Sequence, residues 1–474
     1  MTTISRAASS LACLAFLLQV PVPSAAAQDA SPPSTDAPAP AEAAPPAPVL
    51  QTNEEDPWLY RGSNIPHDKA WHFGEMDNGL RYAVRKNGVP PGQVSIRVRV
   101  DAGSLYETDA ERGYAHLLEH MLFRQSKYIP SGQAIAAFQR LGATFGTDTN
   151  AVTSATQTVF KLDLPNATPT SLDETFKLMS GMVTAPTLSA DNLKQDRPIV
   201  LAEMRERGGA ALRVQNAMQE TLYQGQPLAE RQPIGTLETL NAATQESVRA
   251  FYKRWYRPDN VTVIVAGDAD PAMLESYVRK WFGDWQAKGA KATPPSFGEP
   301  AAPKGFAGNN RELAPVGETR VLVEPDLPPS LLVATLRPWN QVVDNIPYNQ
   351  GLMTDAIAQA IINRRLETRA RAGGSFLSAS VNTDKISRSA DVTFMSVTPL
   401  GDDWKEALED VRGVIADAMT RAPTQAEIDR EVAELDVAFQ VPVEQERILP
   451  GSQLADDLVN ALDIRETVAS PQDV

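Results

Sequence analysis

The chain has 474 residues, 44 Lys+Arg against 59 Asp+Glu, a formal charge of −15 and a single Cys. That length implies two or three domains with ample material for cores. The acidic balance argues against a nucleic-acid partner, and one Cys excludes both a disulfide framework and any CxxC zinc or redox site.

Residues 1–27 carry one charge, Arg6, an apolar run from Leu11 to Val20, and Ala25-Ala26-Ala27 before Gln28. This is the pattern of a secretory signal peptide cleaved near Ala27, which predicts an exported, periplasmic or secreted protein. Cleavage there removes Arg6 and Cys13. No later run approaches the ~20 apolar residues of a membrane-spanning helix, so no membrane span is expected. Residues 28–48 hold seven Pro and seven Ala in 21 positions. Too little apolar surface is available there to offset ordering entropy, and 28–57 read as a disordered linker.

Folded sequence begins near Trp58. Strands are predicted at Leu80–Arg85 and Val94–Val100, helices at Gly113–Phe123 and Gly132–Leu141, and strands at Ala143–Asp148 and Thr156–Leu164. Helices follow at Ser171–Val183 and Asp191–Arg207, then one ending near Tyr256. Strand Val261–Ala266 and helix Pro271–Trp285 close this part. In Val94–Val100, Ile96, Val98 and Val100 alternate with Arg97 and Arg99, the pattern of a half-buried antiparallel strand. A Gly/Pro/Ala-rich stretch at 289–315 marks a linker. After it, strands are predicted at Arg320–Val323 and Leu331–Leu336, and a helix at Gly351–Arg371 stopped by Gly373-Gly374. Strands Phe376–Val381 and Ala390–Val397 follow, then helices Trp404–Met419 and Gln425–Phe439, the second opened by a capping box from Thr424 to Glu427. The strand–strand–helix–strand–strand–helix–helix order recurs in 58–288 and 316–474. The expected fold is therefore α+β: two homologous α/β-sandwich domains, each an antiparallel-rich sheet covered by helices.

Chemistry concentrates in Gly113–Phe123, GYAHLLEHMLF, which holds two of the four histidines. On a helix His116 and His120 share a face and Glu119 lies beside them. Two neutral imidazoles, a carboxylate and an open position for water make a catalytic zinc set, and HxxEH is the inverted form of HExxH. The third ligand must come from elsewhere. In DRPIVLAEMRER, Asp196 and Glu203 are close to two turns apart and share a face. Glu203 is the candidate ligand, Glu206 its rival, and Asp196 a group that could orient a ligand histidine. No P-loop, GxGxxG or GxSxG points to another enzyme class.

The segments GSLYETDAERGYAHLLEHMLF, LGATFGTDTNAVTSATQTVF and DRPIVLAEMRER, in this order, resemble the pitrilysin–insulinase family of inverted-zincin metallopeptidases, as does FYKRWYRPDNVTVIVAGD at Phe251–Asp268. The resemblance implies a zinc endopeptidase acting on peptides or unfolded segments. It implies one zinc per chain held by His116, His120 and Glu203, with Glu119 as general base and Asp196 as supporting acid, where the family usually has Glu. It also implies that Asn150 and Ala151, in an NAxT-like edge strand, pair with substrate backbone. The domain at 58–288 would be catalytic and that at 316–474 non-catalytic, together forming one half of a clamshell. A second half would act in cis in a longer chain or as a homo- or heterodimer partner. Family members place an Arg and a Tyr near the substrate. Here Arg369 matches the Arg, and the Tyr position falls on Phe376, which cannot donate a hydrogen bond. The alternative reading is a non-catalytic scaffold or partner subunit of such an assembly.

Overall fold

The computed structural model describes residues 49–53, 55–301 and 317–473. The expected signal peptide, most of the Pro/Ala-rich stretch and residues 302–315 of the second linker lie outside the described residues. β1 (Trp71–Glu75), β2 (Arg81–Lys86), β3 (Val94–Val100), β4 (Thr149–Thr153), β5 (Thr158–Leu164) and β6 (Val261–Gly267) form one sheet in the order β1-β2-β6-β3-β5-β4. β2 runs parallel to β6, and every other neighbouring pair is antiparallel. The apolar residues of β3 face a layer of helices: α1 (Tyr114–Arg124), α2 (Ala134–Arg140), α3 (Pro169–Thr184), α4 (Ala190–Glu206), α6 (Leu237–Ala242), α7 (Gln245–Trp255) and α8 (Pro271–Phe282), while α5 (Ala210–Leu222) lies outside that core. Local chemistry starts several of them. Thr168 caps α3 ahead of Pro169, and Thr244 accepts from the Ser247 N–H to open α7.

The opposite face of this sheet corrects the sequence reading. Arg97 and Arg99 were expected on a solvated face, yet all seven residues of β3 are buried. The cover is α12 (Gly451–Asp463), whose Leu454, Ala455, Leu458, Val459 and Leu462 pack on Trp71, Ala83, Val159, Ile264 and Ala266. Burial obliges the arginines to be paired. Arg97 contacts Asp163 and Asp456, each at 2.7 Å, and Arg99 contacts Asp101 at 3.0 Å and Asp463 at 3.5 Å. The segment 316–474 therefore does not all belong to the second domain, because its last helix completes the first. The amphipathic pattern of α12 was not predicted, nor were β1 and α5.

In the second domain β7 (Leu331–Pro338), β8 (Phe376–Ile386) and β9 (Ala390–Pro399) pair antiparallel in the order β7-β9-β8. α9 (Ile346–Arg371) and α10 (Trp404–Thr420) cover one face around Leu366, Phe376, Val397, Ala407 and Val411, and α11 (Gln425–Gln445) packs on α9. The order β7-β9-β8 repeats β3-β5-β4, with α9 standing where α1 stands, so the duplicated element order is also a duplicated topology. One difference lies at the edge strand. The Asn363 side chain on α9 donates to the Val381 carbonyl at 3.0 Å and accepts from the Val381 N–H at 2.7 Å, closing the outer side of β8. The predicted strand Arg320–Val323 is instead irregular chain outside any sheet, with Val321 and Val323 exposed. The strand predicted at Ala143–Asp148 begins later, at Thr149, because 144–148 form a turn around Gly146, whose φ is +95°. In that turn the Thr144 N–H bonds to Asp148 Oδ2 at 2.7 Å.

Candidate metal centre

The site begins with how α1 is started. Gly113 has φ +90°, and a Cβ there would meet the Gly235 Cα at 2.8 Å, so the chain reverses in a space only glycine fits. The first turn is then held by Glu107, whose buried carboxylate accepts from the N–H groups of Gly113 at 2.9 Å and Ala115 at 2.8 Å. Burial pushes the Glu107 carboxyl well above the usual carboxylate range, against the pull of those two N–H groups and of Arg231. Glu107 was missed in the sequence. The available signal was an acid a few residues before a helix-starting glycine.

One turn in, His116 and Glu119 are buried and His120 is partly so. Their Nε2 atoms lie 3.3 Å apart. From α4, Glu203 brings Oε2 to 3.5 Å from His116 Nε2 and 3.4 Å from His120 Nε2. Ligand atoms of these three residues all fall within 4.8 Å of one another, a group unique among the described residues. Glu206 is exposed and outside it. Arg207 holds the other oxygen of Glu203 at 2.5 Å.

Burial pushes the His116 imidazole down to about 4, and the neighbouring His120 adds to this against the pull of Glu203. His120 is lowered too, again mainly by burial. Both rings are thus neutral near pH 7, with nitrogen lone pairs available. Two neutral nitrogens and one carboxylate oxygen fit a tetrahedral zinc with a fourth position for water. His116 Nδ1 is buried with no hydrogen-bond partner among the described residues, so none of them fixes that ring from behind. Asp196 does not supply that bond. It pairs with Arg124, whose Nε lies at 2.9 Å, and acts on His120 through its charge alone. Its Oδ2 is buried without a partner.

Glu119 is pushed up to about 7, chiefly by burial, with Glu203 adding to the rise and a hydrogen bond from Thr153 opposing it. That bond, Thr153 Oγ1 to Glu119 Oε2, is 2.5 Å long. Burial pushes the neighbouring Tyr256 hydroxyl up, Glu119 adds to the rise, and a contact with Thr158 opposes it. Asn150, Ala151 and Thr153 lie on β4, the outermost strand of the sheet. The bond from the Asp163 N–H to the Asp148 carbonyl fixes the pairing parity, so Asn150 and Val152 bond toward β5 while the main chain of Ala151 and Thr153 faces outward. The Ala151 N–H is covered by the Asn150 side chain at 2.9 Å. Arg369 and Phe376 serve the second domain: Arg369 pairs with Asp410 at 2.6 Å, and Phe376 is buried in its core.

Residues 83–232 match the insulinase family, peptidase family M16, and residues 242–435 match the peptidase M16 inactive domain. A probable zinc protease of Escherichia coli, PqqL, is 35% identical over 206 residues, which cover 44% of this chain and 22% of that protein. The crystal structure of the periplasmic protease PqqL from E. coli superposes with a TM-score of 0.75 at 25% identity, over 86% of this chain and 44% of that one. The crystal structure of the first half of PqqL gives 0.72 at 23% identity, over 86% of this chain and 85% of that one. The chain thus spans less than half of PqqL and has the architecture of a clamshell half. Among the described residues no helix is long and apolar enough to cross a membrane.

Proposed function

The chain belongs to the insulinase family, peptidase family M16, and on that premise we propose that it is a zinc-dependent endopeptidase module acting on peptides or unfolded segments. One observation carries the reading: His116, His120 and Glu203 converge on a common point with buried Glu119 on the same helix. The three would hold one zinc, which when bound acidifies a water and polarises the scissile carbonyl. Glu119, tuned by burial toward neutrality, takes the proton of that water and delivers it to the leaving amine nitrogen. An extended substrate adds to β4 through the outward main chain of Ala151 and Thr153, with Asn150 swinging off the Ala151 N–H as it docks. Backbone pairing of this kind tolerates varied side chains. Asp196 acts at a distance on His120 and keeps Arg124 in place.

The oxyanion needs a donor. With Arg369 paired to Asp410 and Phe376 buried in the second domain's core, we assign that donor to a second clamshell half, in cis in a longer chain or as a partner chain. The N-terminal signal pattern supports a location outside the cytoplasm. The test is zinc content together with turnover of a quenched fluorescent peptide library, with and without chelator, on the chain alone and with a second half added. About one zinc per chain, weak turnover alone and strong turnover when assembled are expected. Zinc without turnover in the assembled form would favour the non-catalytic partner subunit.

A further inference from the structure

The hydroxyl that touches Glu119 belongs to the strand proposed to receive substrate. Thr153 is the last residue of β4, and its side chain and Ala151's point to the helix side of the sheet. Its Oγ1 donates to Glu119 Oε2 at 2.5 Å, while its own main chain faces the open side of the edge. Glu119 is 9% exposed and leaves a helix on which Leu118 and Met121 are fully buried. The carboxylate is therefore anchored at its Cα by α1 and, on the β4 side, by the Thr153 hydroxyl with the Thr153 main chain adding to the hold.

We propose that Thr153 is the positioning residue of the base: it fixes the Glu119 carboxylate and ties its orientation to the strand on which the peptide is aligned. The inference rests on the peptidase reading and adds a role to it. A peptide hydrogen-bonded beside Thr153 and a base held by the Thr153 hydroxyl share one short piece of backbone. The scissile bond and Glu119 are thereby registered against each other without a connection through the histidines. A carboxylate freed to rotate would still be buried beside the same helix, but it would spend most of its time off the line to the attacked carbon. Misplacement of a reacting group by about 1 Å costs on the order of 10²-fold in rate.

The test uses the whole chain with zinc and three readouts: zinc content, affinity for a fluorescent unstructured peptide by anisotropy in a Glu119→Gln background, and single-turnover cleavage of that peptide. Thr153→Val keeps the shape and removes the donor, whereas Thr153→Ser keeps the donor. Thr153→Val is expected to hold zinc, to bind peptide within about twofold of the parent, and to cleave about 10- to 100-fold more slowly. Thr153→Ser should recover most of the rate. Cleavage by Thr153→Val within twofold of wild type would overturn the proposal, as would a rate loss matched by an equal loss of peptide affinity. If zinc-loaded wild type cleaves nothing, alone or assembled, the peptidase reading fails and this role goes with it.

Discussion

Replacing Leu458 by Ala perturbs the first domain from a position more than 250 residues beyond the candidate metal centre in sequence. Leu458 is 0% exposed and sits among Trp71, Ala83, Val159, Ile264 and Ala266. Most of those neighbours are strand residues held by ladder hydrogen bonds, so the void cannot collapse, and the cost should lie in the middle of the Leu→Ala range, about 3–4 kcal/mol. At about 2–4 °C per kcal/mol for a domain of this size, the first domain's unfolding should move down by about 6–16 °C. The assay is a thermal melt read together with zinc release into a chromophoric chelator, because the helix bearing His116 and His120 packs on the other face of the same sheet. Both signals should shift together. The reasoning is refuted if Leu458→Ala melts like wild type, or if it melts early while zinc leaves at the wild-type temperature. In either case α12 would not be part of the domain that holds the metal.

His116→Ala should remove zinc in elemental analysis, and Glu203→Gln should weaken its retention, whereas Glu206→Gln should not; the reverse order for the two glutamates would reassign the third ligand. Glu119→Gln should keep zinc and lose on the order of 10²-fold or more in turnover, so a near-wild-type rate would exclude it as the base. The Asp101 carboxyl is buried, which alone would raise it, but Arg99, Arg465 and Arg388 hold it below the usual range. A depressed carboxyl stabilises the fold above its unfolded value of about 3.9 and loses that contribution as pH falls toward the folded value. The gap in melting temperature between wild type and Asp101→Asn should accordingly be widest above about pH 5 and close on acidification; a gap that stays constant down to pH 2 would show that the arginines do not act through this charge.

How far the sequence could be read depends on the distance over which each feature is decided. The histidine motif was legible because helix geometry puts residues three and four apart on one face, and nothing outside the helix alters that. β3 was legible as a strand from its alternation, but the environment of Arg97 and Arg99 was not. An alternating arginine looks the same whether it meets water or Asp456 and Asp163, and those partners lie on other elements. For the same reason α12 could not be assigned to its sheet. Arg320–Val323 shows the opposite error: Val321 and Val323 satisfy the strand pattern, yet no neighbouring strand takes them up among the described residues. The role expected of Asp196 required a histidine nitrogen within reach, and the tertiary arrangement gave it Arg124 instead.

The contact between Asn363 and Val381 bears on how two copies of one topology come to have different fates. An unpaired strand edge recruits other chains, so any protein that keeps one in service must close those it does not use. In the second copy a single amide, offering one donor and one acceptor, imitates the two bonds an incoming strand would make and so occupies the place of a guest permanently. The first copy has only a movable stand-in, the Asn150 side chain resting on its neighbour's N–H. Receptivity in this duplicated chain is thus set by the tenancy of a strand edge as well as by the presence of histidines. Transplanting a histidine motif onto α9 would leave that helix beside an edge already taken.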